Sequence, residues 1–194
     1  NVTRHHHKLN KMNTTTIKTL AVIALISVSQ MASAQKAKTW NIDKSHASVR
    51  FGINHFFSEV SGKFKSFDGD IQFSPDNLTN SSVSFKIDVA SVDTDEADRD
   101  EHLKSADFFD VAKFGEATYT ISSVDYSSAT ACTINGTLNI KGVGVPVSFA
   151  SNIRSASEKG LFGQAFFSLD RTLLGIAYAG PSKDVQIAVH LFAK

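Results

Sequence analysis

Apolar side chains recur at every second position through most of the chain beyond residue 40, and this period of two limits the fold more than any other feature. In the first half it runs through Val49, Phe51, Ile53; Ile71, Phe73; Val83, Phe85, Ile87, Val89; and Ala117, Tyr119, Ile121. In the second half it continues through Cys132, Ile134, Leu138, Ile140; Val143, Val145, Val147, Phe149; Ala165, Phe167, Leu169; and Val185, Ile187, Val189, Leu191. Successive side chains of a strand face opposite ways, so each run reads as a strand with one apolar face. About eight strands are expected. One-sided antiparallel strands remove their edges by closing into a barrel or by packing as two sheets, so the class is all-β.

The punctuation refines this reading. Between Phe64 and Phe67 the alternation changes parity, which predicts a β-bulge. Asn135-Gly136 is a hairpin signal by composition, yet Cys132, Ile134, Leu138 and Ile140 keep one parity across it. A single strand with an interior glycine is therefore predicted there, with the turn at Gly142-Val143-Gly144. Pro75-Asp76-Asn77 and Ser127-Ser128 mark further turns.

One segment breaks the pattern. Thr94 to Asp110, TDEADRDEHLKSADFFD, is charged and helix-prone. On a helix Asp95, Arg99 and His102 would share a face, with Leu103 and Ala106 beside them and Phe108-Phe109 anchoring the exit.

The N-terminal residues follow a different logic. Met12 to Ala34 has the order of a cleaved signal peptide: Lys18, then the apolar run Leu20 to Val28, then Ala32-Ser33-Ala34 before Gln35. The run is shorter than the roughly 20 apolar residues a membrane span requires. Residues 1–11, with His5-His6-His7, read as an over-extended reading frame rather than a metal site, and residues 35–194 as one domain. Four of the 20 Lys and Arg precede residue 35 and all 19 acidic residues follow it, which leaves 16 basic against 19 acidic, a net −3. This balance, without a basic run, gives no electrostatic footprint for nucleic acid. Cys132 is the single cysteine, so no intramolecular disulfide is available.

All 15 phenylalanines lie beyond residue 35, against one Trp and three Tyr. That favours a barrel with a lined interior, which either forms a filled core or surrounds an apolar ligand. By parity Val49, Phe51, Ile53 and His55 share one face, so an aromatic lining would end in an imidazole. His55 is either a head-group contact or a hydrogen-bonded histidine of the rim. Phe85, Ile87, Tyr119 and Ile121 are the next candidates for wall residues. Arg99 and His102 are candidates for polar contacts at the open end, Arg99 alternatively forming an ion pair with Asp95 or Asp100.

Six ordered blocks carry a family resemblance. They are Trp40-Asn41-Ile42-Asp43 with His46; Val49-Arg50-Phe51-Gly52-Ile53-Asn54-His55; Gly62-Lys63-Phe64; Ser91-Val92-Asp93-Thr94 followed by Arg99-Asp100-Glu101-His102-Leu103 and Asp107-Phe108-Phe109-Asp110; Gly136-Thr137-Leu138 with Lys141-Gly142-Val143; and Asp170-Arg171 with Gly175-Ile176. From about Thr39 onward the chain resembles the YceI-like family. That resemblance implies an extended eight-stranded antiparallel lipocalin-like barrel with a short helix, a long cavity for a polyisoprenoid or similar long-chain amphiphilic lipid, and export to the periplasm. Two positions depart from the family pattern: Ala47 follows His46 where Ser is usual, and Leu173-Leu174 precedes Gly175 where an acidic or aromatic residue is frequent.

The expected function is an exported lipid carrier without a cofactor of its own, loading by transient membrane contact, with a homodimer left open. A bound isoprenoid quinone, making the protein an accessory of periplasmic electron transfer, is the alternative. A hydrolase is the reading from another class. Asp43, Ser45 and His46 suggest it, but they are too close in sequence for a triad held on a nucleophile turn. No H-x-x-x-H or C-x-x-C spacing points to zinc, and Asp93 to Lys104 lacks the Gly and Glu of a calcium loop. No catalytic or metal-binding residue is therefore expected.

Overall fold

The computed structural model describes residues 38–56, 58–73, 82–157 and 160–194. The segment read as a signal peptide, the residues before it and the turn expected at Pro75-Asp76-Asn77 lie outside the described residues. The alternating runs form strands β1 (Lys38–Trp40), β2 (Ser48–His55), β3 (Ser58–Phe64), β4 (Phe67–Phe73), β5 (Ser82–Asp88), β6 (Val92–Asp93), β7 (Glu116–Tyr126), β8 (Ala131–Ile140), β9 (Val143–Ser157), β10 (Gly160–Asp170) and β11 (Pro181–Ala193). The charged insert forms one helix, α1 (Ala97–Lys104). The sheet order is β1-β4-β5-β7-β8-β9-β10-β11-β2-β3-β6, antiparallel throughout.

Although β3 and β4 sit at opposite ends of this order, only Lys65 and Ser66 separate them in the chain. They act as one bent strand: β3 pairs with β2, the chain turns, and β4 pairs with β5. The seam is tied by Lys65 N–H to Ser91 O (3.1 Å), Ser66 N–H to Ser91 Oγ (2.9 Å) and Asp88 N–H to Ser66 O (3.0 Å). With β3 and β4 as one stave and the short β1 and β6 set aside, the sheet curls into the expected eight staves. The parity change at Phe64 to Phe67 is thus a break in the strand, not a β-bulge. A stave that changes neighbours must reset which face looks inward. Register shifts occur elsewhere, at Ile121/Ser123 and Phe162/Gly163.

Asn135-Gly136 lies inside β8 as the parity implied, and the turn that follows is Lys141-Gly142, one residue earlier than expected. Lys141 and Gly142 both hold positive φ, 53° and 74°, the pairing a tight two-residue hairpin demands. Strands reach 15 residues in β9 and 13 in β11, against a common length of about 5–6. At about 3.3 Å per residue, such staves make the barrel extended.

One end of the barrel is packed. Trp40, Ile71, Leu161 and Ala193 form a buried cluster with Ile42, Val83, Phe85, Ile153 and Leu191 against it. The residues after β1 close this end: Asn41 and Lys194 exchange two backbone hydrogen bonds of 2.9 Å, and Asp43 N–H donates to Phe192 O at 2.8 Å. Away from that cluster the inward side chains Phe51, Ile53, Tyr119, Phe149, Phe167 and Leu169 are only half-buried. Phe149 stacks on Phe167 at 4.4 Å between centroids, and Tyr119 lies 5.5 Å from Phe149. Aromatic side chains facing inward but keeping solvent contact describe a wall around open space, the lined alternative rather than the filled one.

Candidate functional site

At the end opposite the packed cluster, α1 and the segment between β10 and β11 cover the barrel mouth. The helix starts after Asp95, which takes φ 58°. Asp98 and Asp100 stand in its first turn and His102 and Lys104 in its last, the arrangement that suits the helix dipole. Asp100 Oδ1 accepts from Thr94 N–H (2.9 Å) and Thr94 Oγ1 (2.6 Å), so the buried Thr94 fixes the helix entry.

Two expectations for this insert need correction. Asp95 precedes the helix and shares no helical face with Arg99 and His102. Arg99 forms no ion pair with Asp95 or Asp100 among the described residues: its Nε donates to Thr94 Oγ1 and its Nη2 to Thr94 O, both at 2.8 Å. The physical reason is the left-handed residue Asp95, which folds the chain back and puts Thr94, not a carboxylate, under the guanidinium. Nη1 has no protein partner among the described residues.

Between Asp170 and Pro181 the chain forms a 3-10 turn, Arg171–Leu174, closed by Gly175 at φ 72°, a conformation that glycine adopts without penalty. Arg171 is buried, and its guanidinium holds the segment by donating to Ile176 O (2.5 Å), Tyr178 O and Pro181 O (both 2.8 Å) and Ser182 O (2.9 Å). Its fork of donors suits several carbonyls at once, where a point-charge ammonium would not.

Together these elements enclose a cavity of about 410 Å³. This falls in the roughly 300–1,000 Å³ range of small-molecule sites. The walls are Phe51, Ile53, Val60 and Phe64 from β2 and β3, Leu169 from β10, Val185 and Ile187 from β11, and Ile140 at the end of β8. Leu103, Phe108 and Phe109 cover it from the insert, and Leu174, Ile176, Tyr178 and Pro181 from the opposite segment. Of the 19 lining residues, only His55, Arg99, His102 and Arg171 carry or can carry positive charge. The anchoring role of Phe108-Phe109 is visible in the ring contacts: Phe109 packs on Phe64 at 6.0 Å, and Phe108 on Tyr178 at 4.8 Å. His102 sits edge-on to both Phe108 (5.0 Å) and Tyr178 (5.1 Å), with Nε2 3.5 Å from Asp107. The mouth is a ring of aromatics bridged by one imidazole.

Of the residues singled out from sequence, the structure brings Phe51, Ile53, His55, Arg99 and His102 to this cavity. The others lie elsewhere on the barrel. Phe85 packs on the buried cluster, and Ile87 faces Ala117 and Phe67 in the sheet. Val49 opposes Phe64 and Val189, and Ile121 opposes Gly136. Tyr119 donates its hydroxyl to Val147 O at 2.9 Å, and burial pushes its pKa up to about 12. Leu169, Val185 and Ile187 belonged to alternating runs and were legible as inward-facing, but nothing in sequence set them at the mouth. The 171–181 contribution carries no periodic signal at all.

Outside the cavity, Asp43, Ser45 and His46 do converge, contrary to the sequence expectation, because a turn folds them together. Ser45 Oγ donates to Asp43 Oδ1 at 2.6 Å, and His46 Nδ1 lies 2.9 Å from Ser45 Oγ and 3.3 Å from Asp43 Oδ2. The arrangement is not a catalytic relay. One nitrogen, Nδ1, faces both partners, whereas a triad places the serine on one imidazole nitrogen and the carboxylate on the other. Lys194 Nζ donates to Asp43 Oδ2 at 2.6 Å, and chiefly this bond, with that from Ser45, holds the Asp43 carboxyl well below its ordinary pKa. The cluster ties the two ends of the barrel chain together.

An extended antiparallel barrel with one end packed and the other opening into an apolar cavity under a short helix defines the class of fold. The YceI-like domain model matches residues 40–193, and the chain belongs to that family. Among relatives, a UPF0312 protein of Vibrio cholerae serotype O1 is 32% identical over 182 residues, covering 90% of this chain and 96% of the relative. Another, from Ectopseudomonas mendocina, is 41% identical over 135 residues, 68% of this chain and 71% of its own length. Among solved structures, Burkholderia cenocepacia BcnA superposes with a TM-score of 0.73 at 21% identity, covering 79% of this chain and 99% of that one. A polyisoprenoid binding domain from Saccharophagus degradans gives 0.66 at 17% identity, covering 80% and 97%. At these identities the two structures establish the shared fold.

Proposed function

We propose that this protein is an exported carrier that holds a long-chain amphiphile, a polyisoprenoid or a chemically similar lipid, with its chain in the barrel and its head at the mouth. The observation that carries the reading is the apolar cavity of about 410 Å³, with the half-buried inward aromatics Tyr119, Phe149 and Phe167 elsewhere along the barrel wall. Each methylene removed from water contributes about 0.8 kcal/mol, so chain burial dominates affinity and few polar contacts are needed. At the mouth Arg99 Nη1, His102 and His55 are the groups placed to meet a head, and a guanidinium favours a phosphate or carbonyl. The name of the Saccharophagus degradans neighbour agrees with this ligand class. The signal-like segment 12–34 would direct export to the periplasm and be removed there. Binding rather than catalysis is the proposed role, because the polar groups of the mouth hold neither a nucleophile nor a base paired to one.

The test is occupancy. Residues 12–194 would be expressed with export, purified without detergent, and weighed by native and denaturing mass spectrometry. A stoichiometric long-chain lipid released on denaturation is expected, and its head group separates a prenyl phosphate from a quinone. A protein that arrives empty and refuses prenyl lipids on titration would end the carrier reading.

A further inference from the structure

Six large apolar side chains are strongly exposed among the described residues: Phe56, Tyr126, Val143, Phe166, Leu173 and Tyr178. Four of these, Phe56 (76% exposed), Leu173 (61%), Tyr178 (41%) and Val143 (37%), stand at the cavity end, three between strands and Val143 at the start of β9. The four are linked through one stretch of chain. Leu173 and Tyr178 stand on the segment between β10 and β11; at one end of it a Cβ on Gly175 would lie 3.8 Å from Val143 Cγ2, and at the other a Cβ on Gly180 would lie 3.9 Å from Phe56 Cε2. Phe56 holds φ 53°, a left-handed conformation costly for a bulky side chain, and turns its ring outward instead of into the barrel. From Thr172 to Ser182 no residue is charged. Charges of both signs surround this stretch: Lys141 two residues before Val143, Lys183 just after Ser182, and on the insert Asp107, 3.5 Å from the His102 ring that packs on Tyr178.

We infer that this rim, Phe56, Val143, Leu173 and Tyr178, is a docking surface for a lipid bilayer and sets the cavity mouth against the membrane for loading and release. The inference rests on the lipid-binding reading above and gives it a place of contact. Neighbouring exposed apolar side chains around a binding mouth mark an interaction site, and here the occupant must accept an apolar rim whose flanking charges, Lys141, Lys183 and those of α1, are of mixed sign and form no basic patch. A bilayer does so by burying apolar side chains in its interfacial region, with tyrosine suited to the boundary. A basic patch is not needed, so contact is by insertion and not by attraction to anionic lipid. Tyr178 joins the two sites, since it stands on the rim and also lines the cavity.

The experiment is flotation of the exported, processed protein with neutral phosphatidylcholine vesicles at low and high salt. The variants are Phe56→Asn with Leu173→Ser, neither residue lining the cavity, and Phe166→Ser as a control on the outer sheet face. Binding to neutral vesicles with little salt dependence is expected, reduced at least about tenfold in the double variant as two inserting apolar side chains are lost and unchanged in the control. Lipid occupancy by native mass spectrometry stays as in the parent protein. No partition of the parent protein, binding only to anionic vesicles, or a double variant that floats as well as the parent would overturn the proposal. So would a dimer dispersed by the double variant with no vesicle binding, which would assign the rim to a second copy. A lipid-loaded protein that ignores vesicles defeats the docking surface alone; a protein that arrives empty, refuses prenyl lipids on titration and still floats defeats the carrier reading alone.

Discussion

Phe51 and Gly62 face each other across β2 and β3 so closely that a Cβ on Gly62 would fall 2.5 Å from Phe51 Cζ. The ring therefore lies along the wall over its neighbour strand rather than across the lumen. The same relation recurs where Tyr119 covers Gly136, whose Cβ would lie 2.6 Å from Tyr119 Cζ. Glycine beneath an aromatic ring on the adjacent strand is how this barrel carries large side chains and still stays open.

Gly62→Ala follows directly. The added methyl would also meet Thr94 Cγ2 at 2.9 Å, so Phe51 has to swing into the cavity. Overpacking of this kind costs about 1–3 kcal/mol. Urea unfolding should show that loss, and native mass spectrometry should show lowered lipid occupancy in the same variant.

Val185→Trp separates fold from ligand. Val185 lines the cavity from β11, where it opposes Ile53 and Leu169, and an indole there fills open space instead of displacing packed core. Long-chain lipid should no longer copurify, while the far-ultraviolet spectrum and melting transition stay close to those of the parent protein. Unchanged occupancy would place the ligand somewhere other than this cavity.

Arg171→Lys tests the clamp on the mouth segment. A lysine cannot reach the four carbonyls that the guanidinium satisfies, and buried acceptors left unpaired cost about 1–3 kcal/mol each. Stability should fall by at least about 2 kcal/mol. Amide hydrogen exchange at 175–182 should accelerate more than in β8 or β9.

Asp43→Asn has a pH signature. The Asp43 carboxyl is held below its ordinary value near 3.8, first by Lys194 and then by Ser45. A carboxylate with a depressed folded pKa stabilises the protein above the unfolded value, and that contribution disappears as pH falls through the folded one. The parent protein should thus melt higher than the variant at neutral pH, by a margin that stays constant down to about pH 5 and narrows below about pH 4. Melting curves across that range decide it; a margin independent of pH would mean the Asp43 contacts matter only for shape.

Several features were legible because they depend on neighbours in sequence. Period two gave the strands and their inward faces, Leu169, Val185 and Ile187 among them, and unbroken parity across Asn135-Gly136 distinguished a strand from a hairpin. Helix propensity and charge marked the insert. Arg99 was legible as a mouth residue, yet its partner was not, because Asp95 takes a left-handed conformation that no local rule predicts and delivers Thr94 instead of a carboxylate. Asp43, Ser45 and His46 met through a local turn, in which His46 N–H donates to Asp43 O and Ser45 N–H to Asp43 Oδ1, with Lys194 fixing the same carboxylate.

The sequence by itself determined the all-β class, the alternation that lines a barrel with phenylalanine, the helical insert at 97–104 and the family. Those follow from side-chain period and local composition, which the chain carries wherever it folds. Only the tertiary structure decided that β3 and β4 are one stave whose bend closes the barrel, and that one end is packed by Trp40 and Ile71 while the other opens under α1. It also decided that Phe51, Ile53 and His55 reach the mouth while Phe85 lies in the packed end. Two residues of one parity are equivalent in sequence; their height along a barrel is set by strand register and stagger, which arise only when distant strands pair.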